Sequence, residues 1–388
     1  MIRHIDSVDN AHTVLIAGGG TGGHVFPALA VADRLTQLAP VRVVFVGSPR
    51  GLEATVVEPR GYALELLKVA PLKNQGVAGV ARGVWTAAEA TRSAFALLRR
   101  YRPRVVLSVG GYAAGPAALA GVMAKIPLAV FEPNCVVGLA NRWLSPFAKA
   151  AYVAWPEAAQ SFRSSIAKTY GVALRSGFEP SPYMPRVGKR RVLVLGGSQG
   201  ARALNERVPE ALGRVSARLG RIDVLHQSGR GQAESVRQAY ARAGMLHDHV
   251  SVAEFVDDVP GEMAAADVII ARAGAVTLAE IAAIGRASLL IPFPHAADDH
   301  QAKNAMALAR QKGALCIRQE AADPVRLATE LELLFSDDEL RTAMAEQARR
   351  VGRPNAADAI ARDLLALAGL AVTHNVGRDV ASSWKAAG

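Results

Sequence analysis

The turn Gly18-Gly19-Gly20-Thr21-Gly22-Gly23-His24 directly follows the β-branched run Thr13 to Ala17 and leads into a helical stretch near Pro27. A turn of this kind lets backbone amides free of Cβ bulk approach an oxyanion at a helix N-terminus. A second, Gly196-Gly197-Ser198-Gln199-Gly200-Ala201, follows Val192 to Leu195 and opens a helix carrying Asn205. Around both, short β-branched runs alternate with longer Ala/Leu/Arg stretches, the pattern of βα units and a parallel sheet buried on both faces. Strands are expected at about 13–17, 41–47, 104–109, 128–132 and 150–154, then at 191–195, 222–226, 250–256, 267–271, 287–292 and 314–317. Between the two series, Gly177-Phe178-Glu179-Pro180-Ser181-Pro182 suits a linker. A chain of 388 residues is too long for one ordinary core. Two Rossmann-like domains are expected, 11–176 and 177–351. A C-terminal helix at about 352–370 should pack back on the first domain, and the tail 372–388 should be poorly ordered.

Gly18, Gly20 and Gly23 satisfy G-x-G-x-x-G, the dinucleotide fingerprint, but the second strand ends Phe45-Val46-Gly47-Ser48, without the acidic residue that would hold a nicotinamide cofactor's ribose. An oxidoreductase is therefore disfavoured. A third strand-to-helix segment, Arg272-Ala273-Gly274-Ala275-Val276-Thr277-Leu278-Ala279-Glu280, follows the strand Asp267 to Ala271. Its glycine and small residues suit the close approach of a diphosphate, with the helix dipole and Arg272 to stabilise negative charge. Glu280 either accepts hydrogen bonds from ribose hydroxyls or lies on a solvated helix face. The polar loop after the next strand, Pro292 to Gln301, ends an open α/β strand where sugar-binding groups usually sit. His300, Gln301 and Asn304 either bind the sugar or cap the following helix. Two such domains facing each other, one holding a nucleotide and the other an acceptor, make the GT-B plan.

The formal net charge of +11 favours an anionic partner: nucleic acid, an acidic membrane face or a phosphorylated substrate. Aromatics at 5%, dispersed positive charge and no recognisable binding motif argue against nucleic acid. Two distant cysteines, Cys135 and Cys316, indicate neither a disulfide framework nor a zinc site and read as core fillers in a reducing cytoplasm. Asp6 and Asp9 interrupt anything like a signal peptide. The most apolar stretch, Ala113 to Ala124, is well short of the ~20 residues needed to span a bilayer, so any membrane contact is expected to be peripheral.

Taken in order, Gly-Gly-Gly-Thr-Gly-Gly-His at 18–24, Gly-Gly-Tyr at 110–112, Gly-Leu-Ala-Asn-Arg at 138–142, Gly-Gly-Ser-Gln-Gly-Ala at 196–201, Arg-Ala-Gly-Ala-Val-Thr-Leu-Ala-Glu at 272–280 and His-Gln at 300–301 closely resemble the MurG family. Its members are N-acetylglucosaminyltransferases that convert lipid I to lipid II in peptidoglycan synthesis, and so serve cell shape and division. The resemblance runs from about residue 13 to residue 320 and implies a GT-B fold. It assigns UDP-N-acetylglucosamine to the C-terminal domain, at Ser198, Ala275, Val276, Thr277, Leu278, Ala279, Glu280, Gln301 and the backbone near Val256. It assigns the lipid-linked acceptor to the N-terminal domain, where Thr21, Gly22, Gly23 and Asn134 border donor sugar and acceptor. Tyr112, Glu132, Asn205, Arg272, His300 and Asn304 are further candidates.

The implied reaction is an inverting displacement at the anomeric carbon by the 4-hydroxyl of the muramoyl sugar. His24 either takes that proton as base or only hydrogen-bonds loop and phosphate groups. The helix N-terminus at 274–277 would stabilise the leaving UDP, with no cofactor and no protein-bound metal. The family's His-Glu-Gln-Asn appears here as Phe131-Glu132-Pro133-Asn134, and its Gly-Asn-Pro-Val-Arg as Gly177-Phe178-Glu179-Pro180-Ser181, with Arg186 a nearby substitute for the missing arginine. The implied place is the cytoplasmic face of the bacterial inner membrane, beside other wall-synthesis proteins. There Val77, Val80 and Trp85 among Lys68, Lys73, Arg82, Arg92, Arg99, Arg100, Arg102 and Arg104 could dock on anionic lipid. The competing readings are a related glycosyltransferase with another lipid acceptor, a sugar-nucleotide epimerase, and a catalytically silent UDP-sugar-binding scaffold.

Overall fold

A computed structural model describes residues 12–49, 51–69, 77–111, 113–186, 188, 190–197, 199–245 and 247–373, with the side chains of 77–88 and 247 left aside. The chain divides into two compact units, residues 1–175 with 355–387, and residues 176–354.

Among the described residues, the first unit holds a parallel sheet of β1 (His12–Gly18), β2 (Val41–Gly47), β3 (Ala63–Leu66), β4 (Val105–Gly110), β5 (Leu128–Glu132), β6 (Ala150–Val153) and β7 (Ala167–Thr169). Their spatial order is β3-β2-β1-β4-β5-β6-β7. The second unit's sheet uses β8 (Arg191–Leu195), β9 (Asp223–Gln227), β10 (Val250–Ala253), β11 (Val268–Ala271), β12 (Ala287–Leu290) and β13 (Leu315–Cys316), in the order β10-β9-β8-β11-β12-β13. Every pairing is parallel. The central strands are continuous apolar runs because helices cover both faces: β4, β5, β6 and β11 are buried at every position. The two strands absent from the sequence reading are β3 and β7, both at the outer edges of the first sheet and at most half-buried.

The helix Ala356–Leu367 belongs to the first unit, where it packs along the helix Gly22–Leu38. Ile360, Ala361, Leu364 and Leu365 are buried on its inner face. Arg34 pairs with Asp358 at 2.5 Å, Lys168 pairs with Asp363, and the Thr373 amide donates to the Leu38 carbonyl at 2.8 Å. The tail expected to be poorly ordered lies, from residue 374 on, outside the described residues. Cys135 and Cys316 are half-buried rather than core residues.

In each sheet the strand order reverses once: between β1 and β4 in the first, between β8 and β11 in the second. Open parallel sheets hold ligands at the carboxyl ends of the strands flanking such a reversal, because consecutive crossovers leave in opposite directions and open a crevice there. Both glycine-rich turns begin at these points.

Candidate functional site

In the first unit, Gly18, Gly19 and Gly20 leave β1 with φ of 125°, 146° and 96°. A Cβ at Gly18 would stand 2.1 Å from the Gly110 carbonyl oxygen, and one at Gly111 2.4 Å from the Gly19 oxygen. The turns after β1 and β4 therefore interlock, and the Gly19 amide donates to Gly110 O at 3.1 Å. Thr21 precedes the helix Gly22–Leu38, and no side chain caps its N-terminus among the described residues. Its first turn presents Gly22, Gly23 and His24. The half-buried imidazole packs on Gly110, where a Cβ would meet His24 Cε1 at 3.3 Å and Asn141 Nδ2 at 3.7 Å.

Beneath this surface lies a polar cluster that the sequence reading did not assemble. Asn141 is 0% exposed; its Oδ1 accepts from Ser108 Oγ at 2.9 Å, and its Nδ2 donates to Phe131 O at 2.8 Å and Glu132 Oε2 at 3.2 Å. Glu132 Oε2 also accepts the Gly138 amide at 2.8 Å, and Oε1 accepts the Asn134 amide and Nδ2 at 3.2 and 3.1 Å. A carboxylate has about four acceptor directions, and here four donors take them. Glu132 thus shapes the 133–138 loop from inside, and Asn134 rides on that loop. Phe131, at 1% exposure, faces the interior. Tyr112 lies outside the described residues.

In the second unit, the turn after β8 rests on the segment after β9. Gly200 has φ of 73°, and a Cβ there would stand 2.2 Å from Ser228 O and 2.6 Å from Gln232 Nε2. Gln227 Nε2 donates to Gly197 O and Gln232 Nε2 to Gln199 O, each at 3.2 Å. Ser198 itself lies outside the described residues. Asn205 is tied into the scaffold: its Nδ2 donates to Ser228 O and Gln232 Oε1, each at 2.9 Å, and its Oδ1 meets His226 Nε2 at 3.0 Å. Because Oδ1 can only accept, His226 carries its proton on Nε2, and Nδ1 accepts from Tyr240 OH at 3.0 Å. Burial pushes the His226 pKa down to about 3.

That depression makes a stability prediction. Unfolded histidine titrates near ~6.5, so from there down to about pH 3 the unfolded chain binds a proton that the folded chain refuses. Stability therefore falls as pH falls through this window, by ~1.4 kcal/mol per pH unit for one proton, or about 2 kcal/mol between pH 6.5 and 5. Urea denaturation of wild type and His226→Gln checks it: the variant's stability should fall less steeply by about one proton's worth, and identical slopes would reject the assignment.

The third turn places Gly274 before the helix Ala275–Ile284, again with no side-chain cap among the described residues. Ala275 and Leu278 are buried, while Val276, Thr277, Ala279 and Glu280 are half-buried. Arg272 is tied to the segments after β12 and β13: its guanidinium donates to Ile291 O at 3.0 Å, Pro292 O at 3.1 Å and Gln319 Oε1 at 2.7 Å, and lies over the Phe293 ring. Burial, with the Arg207 charge second, pushes its pKa down to about 10. Arg272 thus fixes the loop after β12. In that loop Asp298 and Asp299 both adopt left-handed backbone, φ of 52° and 55°. His300 Nδ1 bonds Ala297 O at 2.7 Å, Gln301 Oε1 accepts the Phe293 amide at 3.0 Å, and Asn304 is buried. Val256 lies just beyond β10, the edge strand.

Arg186, offered above for the family's junction arginine, is held away from the glycine turns. It donates to Ala265 O and stands 3.9 Å from Asp267, at the amino end of β11, whereas the turns above leave the carboxyl ends. The length of a four-residue strand, about 13 Å, separates the two.

Residues 14–153 match the glycosyltransferase family 28 N-terminal domain and residues 191–360 the glycosyltransferase family 28 C-terminal domain. A Sorangium cellulosum protein named UDP-N-acetylglucosamine–N-acetylmuramyl-(pentapeptide) pyrophosphoryl-undecaprenol N-acetylglucosamine transferase is 49% identical over 92% of this chain and 88% of its own. An Anaeromyxobacter dehalogenans protein of the same name is 42% identical over 90% and 91%. Among solved structures, Acinetobacter baumannii MurG superposes with a TM-score of 0.77 at 31% identity, covering 92% of this chain and 99% of that one. The two parallel-sheet units are the two domains of a GT-B glycosyltransferase. With relatives this similar along nearly its whole length, the chain belongs to the MurG family within glycosyltransferase family 28.

Proposed function

We propose that this chain transfers N-acetylglucosamine from UDP-N-acetylglucosamine to the 4-hydroxyl of the muramoyl sugar of the undecaprenyl-pyrophosphoryl pentapeptide acceptor, lipid I, with inversion, forming lipid II. Beyond family membership, the order of the second sheet carries the reading. Across β10-β8-β11-β12, Val256 for the uracil, the turn after β8, the uncapped helix start at Ala275 for the diphosphate, and Gln301 for the sugar follow one another as the parts of the donor do.

The helix Ala275–Ile284 directs its free amides and dipole at charge developing on the leaving UDP. Thr277 and Glu280 lie within this helix, with Glu280 assigned to the ribose. In the first unit, His24 takes the acceptor proton, Thr21, Gly22 and Gly23 border the reacting sugars, and Asn134 meets the acceptor from the Glu132-held loop. No resident metal is assigned to any step.

A lipid-linked acceptor is met at a bilayer surface, and no helix among the described residues is long and apolar enough to cross a membrane. Peripheral docking on the cytoplasmic face of the inner membrane draws support from the helices Ala114–Met123 and Leu139–Leu144, which pack on each other. They and the following turn expose Leu119, Met123, Leu139, Phe147 and Trp143, the last at 76%, with Lys125, Arg142 and Lys149 also exposed. Basic residues near an anionic surface contribute ~1 kcal/mol each. Of the stretch first singled out, Lys68, Arg92, Arg99, Arg100, Arg102 and Arg104 are exposed; residue 73 and the side chains of Val77, Val80, Arg82 and Trp85 lie outside the described residues.

Labelled transfer from a panel of UDP-sugars to a lipid I analogue and to diacylglycerol, with and without chelator, tests the reading. Transfer of N-acetylglucosamine to lipid I alone is the expected result. Transfer only to diacylglycerol would make it a glycolipid synthase, and donor binding without transfer a silent scaffold.

A further inference from the structure

The first glycine turn has the shape of a phosphate cradle, yet its seat is filled from within. Glu53, on the short helix Glu53–Val56 after β2, is 1% exposed. Its Oε2 accepts the Gly20 amide at 2.7 Å, and Oε1 accepts the Ser48 amide at 2.7 Å and Ser48 Oγ at 3.2 Å. Three glycines surround the carboxylate: a Cβ at Gly19 would lie 2.4 Å from Oε2, one at Gly47 2.3 Å from Cγ, and one at Gly51 2.2 Å from both oxygens. The Leu52 amide donates to Gly20 O at 3.3 Å, so the 52–53 segment holds both polar backbone groups of Gly20. On the other side, Gly110 holds Gly19.

We propose that Glu53 is the positioning residue of the N-terminal turn: its carboxylate occupies the backbone nest that a phosphate would otherwise enter and fixes the turn that carries His24. Three successive glycines with positive φ have no conformational preference to hold themselves in place. Charge-assisted bonds to a buried carboxylate supply it, since such bonds are short and strong and the partner cannot be lost to water. The two units differ in consequence. The first turn spends its Gly20 amide on an internal anion and serves as a platform for the base; among the described residues, the turns after β8 and β11 show no buried carboxylate in that place.

The kinetic arm rests on the transferase reading, whereas amide exchange does not. Glu53→Gln removes the charge and sets an amide donor against one of two amide N–H groups. It should lower kcat ~10-fold or more while the KM and Kd for UDP-N-acetylglucosamine change less than about twofold. Gly47→Ala, whose methyl enters the space of Glu53 Cγ, should reproduce that split, and the double variant should add little to either. In wild type, the Gly20 amide should exchange with solvent at least ~10-fold more slowly than Gly22 and Gly23. Unchanged kcat in both variants, a rise in donor KM without loss of kcat, or a Gly20 amide exchanging as fast as its neighbours would each overturn the assignment. A wild type that transfers nothing yet protects Gly20 would sink the transferase reading and leave the clamp standing.

Discussion

Replacing His24 by alanine is expected to lower turnover ~10²–10⁴-fold, the usual contribution of a positioned general base, with UDP-N-acetylglucosamine affinity unchanged. The imidazole packs on Gly110 at the half-exposed start of the helix Gly22–Leu38, whose buried residues begin at Val25. Alanine is the best helix former, so the truncation leaves the first turn wound. The uracil, ribose and diphosphate contacts assigned above lie in the other unit. Single-turnover transfer and calorimetric donor binding, measured on the same preparation, separate the two effects. Near-normal turnover would remove His24 as the base and leave it a ligand of loop or phosphate groups.

The second large effect is expected at Gly200. An alanine there adopts a left-handed backbone at φ of 73° and drives its methyl to 2.2 Å from Ser228 O, while Gln232, on the same side, already holds the turn. The conformational cost is ~1–2 kcal/mol and the overpacking ~1–3 kcal/mol. A total of ~2–5 kcal/mol should divide between a lower unfolding midpoint and a donor Kd raised ~10–10²-fold. Gly231 is the control: its φ is 70° but nothing stands within 4 Å of its missing Cβ. Gly231→Ala should cost only the conformational part and leave the donor Kd alone. Equal losses in both variants would show that backbone strain, not the turn's packing, sets donor affinity.

The sequence announced every strand but the two at the outer edges of the first sheet. β4, β5 and β11 are uninterrupted apolar runs because both faces are covered. Ala63–Leu66 and Ala167–Thr169, short and half-exposed at the sheet edges, carry charged residues and offer no such run. At the site, the glycine turns were legible because close backbone approach leaves no substitute for glycine. The internal bonds of Glu132, Asn205 and Arg272 were not legible, because a polar side chain beside a glycine turn reads the same in sequence whether it faces a substrate or anchors the loop that does. Glu53 went unread because its meaning depends on a chain reversal that brings it to Gly20, 33 residues earlier. The cluster Gly47-Ser48, Gly51 and Glu53 was its local trace: small residues crowding one acid at the mouth of a buried strand.

The helix Ala356–Leu367 gives the molecule a timetable. The first unit is begun by residues 12 onward but lacks a wall, against Leu38 and Arg34, until residues 355–373 exist. The second unit, 176–354, is complete as a stretch of chain before that wall is made. On a ribosome, the half that starts first is thus the half that finishes last. A stop codon just after residue 354 would strip interior surface from the amino-terminal half and leave the other half's own interior whole.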